Sequence, residues 1–213
     1  MIAGTLSQLG VFCGDSAHRP VYEDLVLSSA FEDNDLEEVS KIVDRYNKAH
    51  KIWAWKRPSC VNYLGDVHRL LVNPSYIFVF RDILSTANRN LLSMNSKIVP
   101  SMKRALNDYN LALEFLLETD VHALVVSYEK AIQNPEFLVD EIIKAFDLST
   151  SPGQIIKAID FNQPNNAEYI LKTNVKIPHD FDPVAYLELN LDVKNAGVDT
   201  VKHYIEHGFK EGR

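Results

Sequence analysis

The stretch PSYIFVFRDILSTANRN, residues 74–90, runs an unbroken set of burial-prone residues, Tyr76 to Phe80, straight into Arg81-Asp82. Arginine is a permanent planar cation whose fork of N–H donors matches a phosphate. At the carboxyl end of a buried strand it clamps an anion in the ligand crevice, or else it serves the fold by pairing with Asp82 or capping the next helix. Lys56, in WAWKRPS, ends another short apolar run and is either a point charge suited to phosphate or sulfate oxygens or a solvated strand-end lysine. Glu32, in AFEDND, follows an aromatic residue. Desolvation there would raise its pKa toward that of a useful base; the alternative is a helix N-terminal charge stabilised by the dipole. HYIEH, His203 to His207, sets two imidazoles one helical turn apart in a zinc-like H-x-x-E-H spacing. Nothing downstream of it in the sequence can complete a ligand set, so no metal is expected.

The elements that must position these side chains alternate between helix and strand. A strand apolar on both faces is a strand covered on both faces, as in a parallel sheet. Three such strands are expected, at 51–55, 76–80 and 122–128. IAGTLSQLG has helical spacing through Ile2, Leu6 and Leu9 and stops at Gly10, and residues 11–30 read as irregular. Leu36, Val39, Ile42, Val43 and Tyr46 share one face of a helix behind Asp/Asn caps. Ser59 opens a helix carrying Val61, Leu64, Val67, Leu70 and Leu71. A long helical stretch over about 83–118 is broken or kinked near Pro100. In NPEFLVDEIIKAF, Asn134 caps, Pro135 takes the first position, and Phe137, Leu138, Ile142 and Phe146 face the core. A further helix starts at SPGQIIKAI. Residues 161–180 read as a linker, and 181–213 as a separate helical unit opened by Asp182 and Pro183, turned at Gly197 and capped again by Asp199 or Thr200.

Composition narrows the partners. The chain has 213 residues, is 46% hydrophobic and carries a formal charge of -7, which argues against general nucleic-acid binding while leaving room for a local basic pocket. Cys13 and Cys60 form neither a disulfide framework nor a metal spacing and read as small buried hydrophobes. The opening MIAGTLSQLGVF has no basic n-region, and no run reaches transmembrane length. No membrane partner is expected, and the cytoplasm is the default compartment.

Taken together and in order, SAFEDND, WAWKRP, YIFVFRDILSTANRN and LVVSYEKAIQNPEFLVDEIIKAFDL resemble the bacterial type of sulfotransferase. The resemblance covers roughly residues 1–160. It implies an α/β, three-layer P-loop-like sandwich with a short parallel sheet, helix-rich and incomplete at the N-terminus. It also implies 3′-phosphoadenosine 5′-phosphosulfate as donor and a hydroxyl of a saccharide or other small molecule as acceptor. Arg81 would grip the 3′-phosphate, with Arg89 where relatives place a serine. Lys56 would hold a sulfate or bridging oxygen, and Glu32 would be the base. Tyr128 and Glu129 match the family's tyrosine–glutamate step. Where relatives read WKDPR, this chain has Lys56-Arg57-Pro58-Ser59. A strand and phosphate loop like PRSGTS would precede Met1 and are not in the sequence. The strands at 76–80 and 122–128 must then pair directly, or an outside strand must fill the gap, and an open sheet edge would suit a homodimer. The alternative to an enzyme is a non-catalytic remnant or interaction protein on the same scaffold. Residues 181–213 resemble a short helical module attached to bacterial glycan-modifying enzymes and surface proteins, with a packing or docking role.

Overall fold

The computed structural model describes residues 1–94, 97–162, 178 and 181–211. Most of the expected linker, 161–180, lies outside the described residues. The chain is helix-rich and contains a short two-stranded parallel sheet, β1 (Tyr76–Phe80) and β2 (Ala123–Ser127). The two strands pair directly and in register, from Tyr76 opposite Ala123 to Phe80 opposite Ser127.

Alternation along each strand sends side chains to two faces. Ile77, Val79, Leu124 and Val126 pack into the cluster built by Leu6 and Leu9, Leu138, Val139 and Ile142, and Ala158. Those residues belong to, or directly follow, α1 (Ile2–Gln8), α8 (Pro135–Ala145) and α9 (Pro152–Phe161). On the other face, Tyr76 and Phe78 meet Phe115, and Phe80 meets Tyr109, both from α6 (Ile98–Glu118). That cover is incomplete, because Val125 on the same face is 58% exposed.

The third strand expected, at 51–55, is reduced to a single parallel bridge between Trp53 and Phe12. Ala54 N–H donates to the Phe12 carbonyl over 2.8 Å. Beyond it, Lys56 and Arg57 are committed to carboxylates, and Pro58 has no N–H to extend a ladder. A 3-10 turn at Pro58–Tyr63 then leads into α4 (Leu64–Leu70).

The region expected to be irregular contains a helix, α2 (Leu25–Glu32), with Asp24 as N-cap accepting from Val26 and Leu27 N–H. Its exposed Leu25 and Val26 blur the apolar period, and the buried face is Leu27, Ser28, Ala30 and Phe31. α3 (Leu36–Ala49) buries Val39, Ile42, Val43 and Tyr46 as the spacing predicts, although Leu36 is exposed. α5 (Ile83–Met94) and α6 split the long helical stretch, and Pro100 sits in the first turn of α6. There its missing N–H costs nothing. α7 (Tyr128–Gln133) follows β2 without a break. In α8, Asn134 caps and Pro135 is first, but Phe137 points to solvent.

α1 is clamped to α9. Asn162 Nδ2 donates to Thr5 Oγ1 over 2.8 Å in a buried pair, and a Cβ on Gly4 would sit 2.1 Å from the Phe161 ring. In the C-terminal unit, α10 (Pro183–Leu189), α11 (Leu191–Ala196) and α12 (Thr200–His203) lead through a π-helical turn at Tyr204–Gly208 into α13 (Phe209–Glu211). Gly197 takes φ 62° between α11 and α12, and Asp199 caps α12. A small core of Tyr186, Val193 and Tyr204 holds the unit together.

Candidate functional site

The carboxyl ends of β1 and β2 converge on the Arg81-Asp82 turn. Tyr109 pins its backbone from α6: Arg81 N–H donates to the phenol oxygen over 2.8 Å, and the hydroxyl donates back to the Arg81 carbonyl over 2.6 Å. Asp82 N–H donates to Glu129 Oε1 over 2.9 Å, tying the turn to α7. Asp82 does not pair with its neighbour. Its Oδ1 accepts from Ser85 N–H over 2.7 Å and so caps α5. That contact to the Ser85 backbone, ahead of a lesser pull from Arg81, holds the carboxyl below its usual pKa.

The Arg81 guanidinium is therefore left for something else. It lies over the Tyr128 ring at 4.5 Å, a cation–π contact worth about 0.5–2 kcal/mol. Among the described residues no carboxylate pairs with it, and its Nε is buried without a hydrogen-bond partner. An orphaned buried donor on a charged group costs on the order of 1–3 kcal/mol or more. The cost falls away when an anion supplies the acceptor.

Lys56 and Glu32 belong to a second constellation. Glu23, 11% exposed at its side chain, accepts from Lys56 Nζ and, over 2.8 Å, from Arg57 Nη1. Arg57 also forks onto Glu32, with Nε to Oε1 and Nη2 to Oε2 both at 2.8 Å. Ser59 Oγ adds a 2.7 Å bond to Glu32. The pKa of Glu32 is lowered, by Ser59 first and then by Arg57. This corrects the raised value expected from its place behind Phe31: the carboxylate points out to a guanidinium and a hydroxyl. Burial pushes Glu23 up, but the hydrogen bonds from Lys56 and Arg57 more than offset it and the net shift is downward.

Arg89 is exposed on α5. The Met1 amino group is held below its ordinary pKa by burial and then by the positive charges of Lys56 and Arg89. Thus Glu32 and Lys56 share one ion network through Glu23 and Arg57, and no hydrogen bond or ion pair among the described residues joins Arg81 to Glu32, Lys56 or Arg89. Sequence reasoning missed Glu23 and the central role of Arg57. Only Arg57's adjacency to Lys56 signalled either, because Glu23 lies some thirty residues upstream.

His203 and His207 lie with ring centroids 5.4 Å apart and their planes tilted by 46°, and His203 Nδ1 shares a 3.1 Å hydrogen bond with Tyr186 OH. Among the described residues no group of three candidate metal ligands occurs, and no helix is long and apolar enough to cross a membrane. No known protein family, curated protein or solved structure matches the chain.

Proposed function

We propose that the chain is a sulfotransferase-type protein that takes the 3′-phosphate of 3′-phosphoadenosine 5′-phosphosulfate on Arg81 and passes the sulfuryl group to a hydroxyl of a saccharide or small molecule. The observation that carries this reading is Arg81 itself: a cation at the carboxyl end of a parallel strand, stacked on Tyr128, with a buried Nε that lacks an acceptor. Crevices beyond the carboxyl ends of parallel strands are where such folds take ligands. The helices on either face of β1 and β2 are, on this reading, the outer layers of a P-loop-like sandwich spanning residues 1–160, a cytoplasmic domain to which 181–213 is appended for docking.

In the reaction the acceptor oxygen attacks sulfur, the bond from sulfur to the departing phosphate oxygen breaks, and the hydroxyl proton leaves to a base. Arg89 adds a second cation for the 3′-phosphate. Lys56 offers its charge to a sulfate or bridging oxygen by exchanging Glu23 for the ligand. Glu32 is the base, and because Ser59 and then Arg57 hold its pKa below the ordinary carboxylate value, it orients the acceptor hydroxyl more than it drives deprotonation.

A second, non-catalytic reading is favoured by the ladder between β1 and β2. All residues of both strands are paired in register, which leaves no gap between them for a strand bearing a phosphate loop. Here the same cations hold a nucleotide that is never turned over.

Thermal unfolding with 3′-phosphoadenosine 5′-phosphate tests both. Ligand at about 100 times its dissociation constant stabilises by about 2.7 kcal/mol. The wild type gains a higher Tm, and Arg81→Gln loses the gain without a lower ligand-free Tm. Sulfuryl transfer to a saccharide acceptor then separates the readings, with turnover supporting the enzyme and binding without turnover the alternative. Absence of any Tm gain in the wild type overturns both.

A further inference from the structure

Helix α6 carries an apolar row that is exposed among the described residues. Val99, Leu106 and Leu113 recur every seven residues and are 74%, 48% and 46% exposed, and Leu117, one turn further on, is 86% exposed. The helix already buries Ser101, Ala105 and Ala112 elsewhere on its circumference, so the row is not the margin of the core. A seven-residue period is the period at which one helix meets another along its length.

The charges on α6 say which helix. Lys97, Lys103 and Arg104 lie toward its start, and Glu114 and Glu118 toward its end, with no acidic residue in the first turn and no basic residue in the last. This distribution opposes the helix macrodipole, which favours anions at the start and cations at the end. Among the described residues Lys103, Glu114 and Glu118 have no salt-bridge partner, and all three are exposed. An unfavourable polarity within one helix becomes complementary when a second copy lies antiparallel, basic half against acidic half.

We propose that this row is the seam of a homodimer in which the α6 helices of two copies pack antiparallel about a two-fold axis close to Asn110. In that register Leu106 of one copy meets Leu113 of the other, and Lys103 falls between Glu114 and Glu118 of the second copy. The contact is isologous, so each such pairing occurs twice. At about 1.5 Å per residue, the 21-residue helix offers a line of contact about 31 Å long.

Sedimentation and light scattering over a concentration series test the proposal on the full chain. The wild type is a dimer. Lys103→Glu with Arg104→Glu sets acidic against acidic and raises the dimer dissociation constant at least about tenfold. Adding Glu114→Lys and Glu118→Lys to that variant restores the wild-type constant, a recovery that misfolding would not produce. Leu106→Glu with Leu113→Glu gives a monomer with unchanged far-UV circular dichroism. Under oxidation Asn110→Cys forms a disulfide-linked dimer, whereas Val99→Cys, far from the axis, does not. A monomer at every concentration overturns the proposal. So does a dimer indifferent to the α6 substitutions, which would assign the contact to another face such as the free edge of β2.

Discussion

Glu23→Gln tests the ion network where its loss is most informative. The Glu23 carboxylate is largely buried and serves Lys56 and Arg57 at once. Glutamine keeps the shape and one acceptor oxygen, but it turns an N–H₂ group toward two cations and removes the countercharge. Breaking a fully buried pair costs about 3–5 kcal/mol. Here Lys56 is 38% exposed and Arg57 keeps its fork on Glu32, so the loss should be smaller, about 1–3 kcal/mol at pH 7. For a chain of this size that is a fall in Tm of roughly 3–10 °C. The pH dependence follows from the direction of the shift. The folded pKa of Glu23 lies below its ordinary 4.5, so its stabilisation is complete above that value and is lost as pH falls through the lowered one. Denaturant unfolding of both proteins from pH 3 to pH 8 should show a constant gap above about pH 5 that narrows in acid. A gap unchanged down to pH 3, or none at pH 7, refutes the assignment of Glu23 as the shared counterion. The same substitution releases Lys56, so on the proposed function it should tighten binding of 3′-phosphoadenosine 5′-phosphate while lowering stability.

Gly14 has φ 112°, and a Cβ there would lie 2.3 Å from Asp24 Oδ2. Gly14→Ala should cost at least about 3 kcal/mol in denaturant unfolding, whereas Gly65→Ala in α4, where a Cβ meets nothing within 4 Å, should gain about 0.5–1 kcal/mol. Tyr46 donates to the buried Asp24 carboxylate and accepts from Asp15 N–H. Tyr46→Phe strands both and should destabilise by about 1–3 kcal/mol at neutral pH. Burial pushes the Tyr46 phenol up to about 12, so its contribution is complete below pH 10 and lost as pH rises through that value. Ultraviolet titration of the native protein should show one fewer late-ionising tyrosine in the variant.

Helices with strong end signals were legible from local chemistry alone. Asn134-Pro135 and Ser151-Pro152 start α8 and α9 where expected, because a cap and a proline at the first turn act within a few residues. Tyr76–Phe80 and Ala123–Ser127 could be recognised as strands, and their direct pairing was one of two arrangements open to them. The 51–55 run failed as a strand because continuation depended on partners that periodicity does not show. α2 was missed because two of its apolar residues face solvent and its cap, Asp24, is buried by Ser16 and Tyr46 from other segments.

Residue types at the site were readable as well: a permanent cation after an apolar strand, a lysine after another, a carboxylate behind an aromatic ring. Their electrical states were not. Among the described residues Arg81 has no carboxylate partner because Asp82 is turned to cap α5, and the pKa of Glu32 is lowered rather than raised because Ser59 and Arg57 reach it across the fold. Local preferences are set by neighbours along the chain and survive in a single sequence. Charge compensation is set by neighbours in space, and at distances of about 3 Å it depends on which distant segments the core brings together.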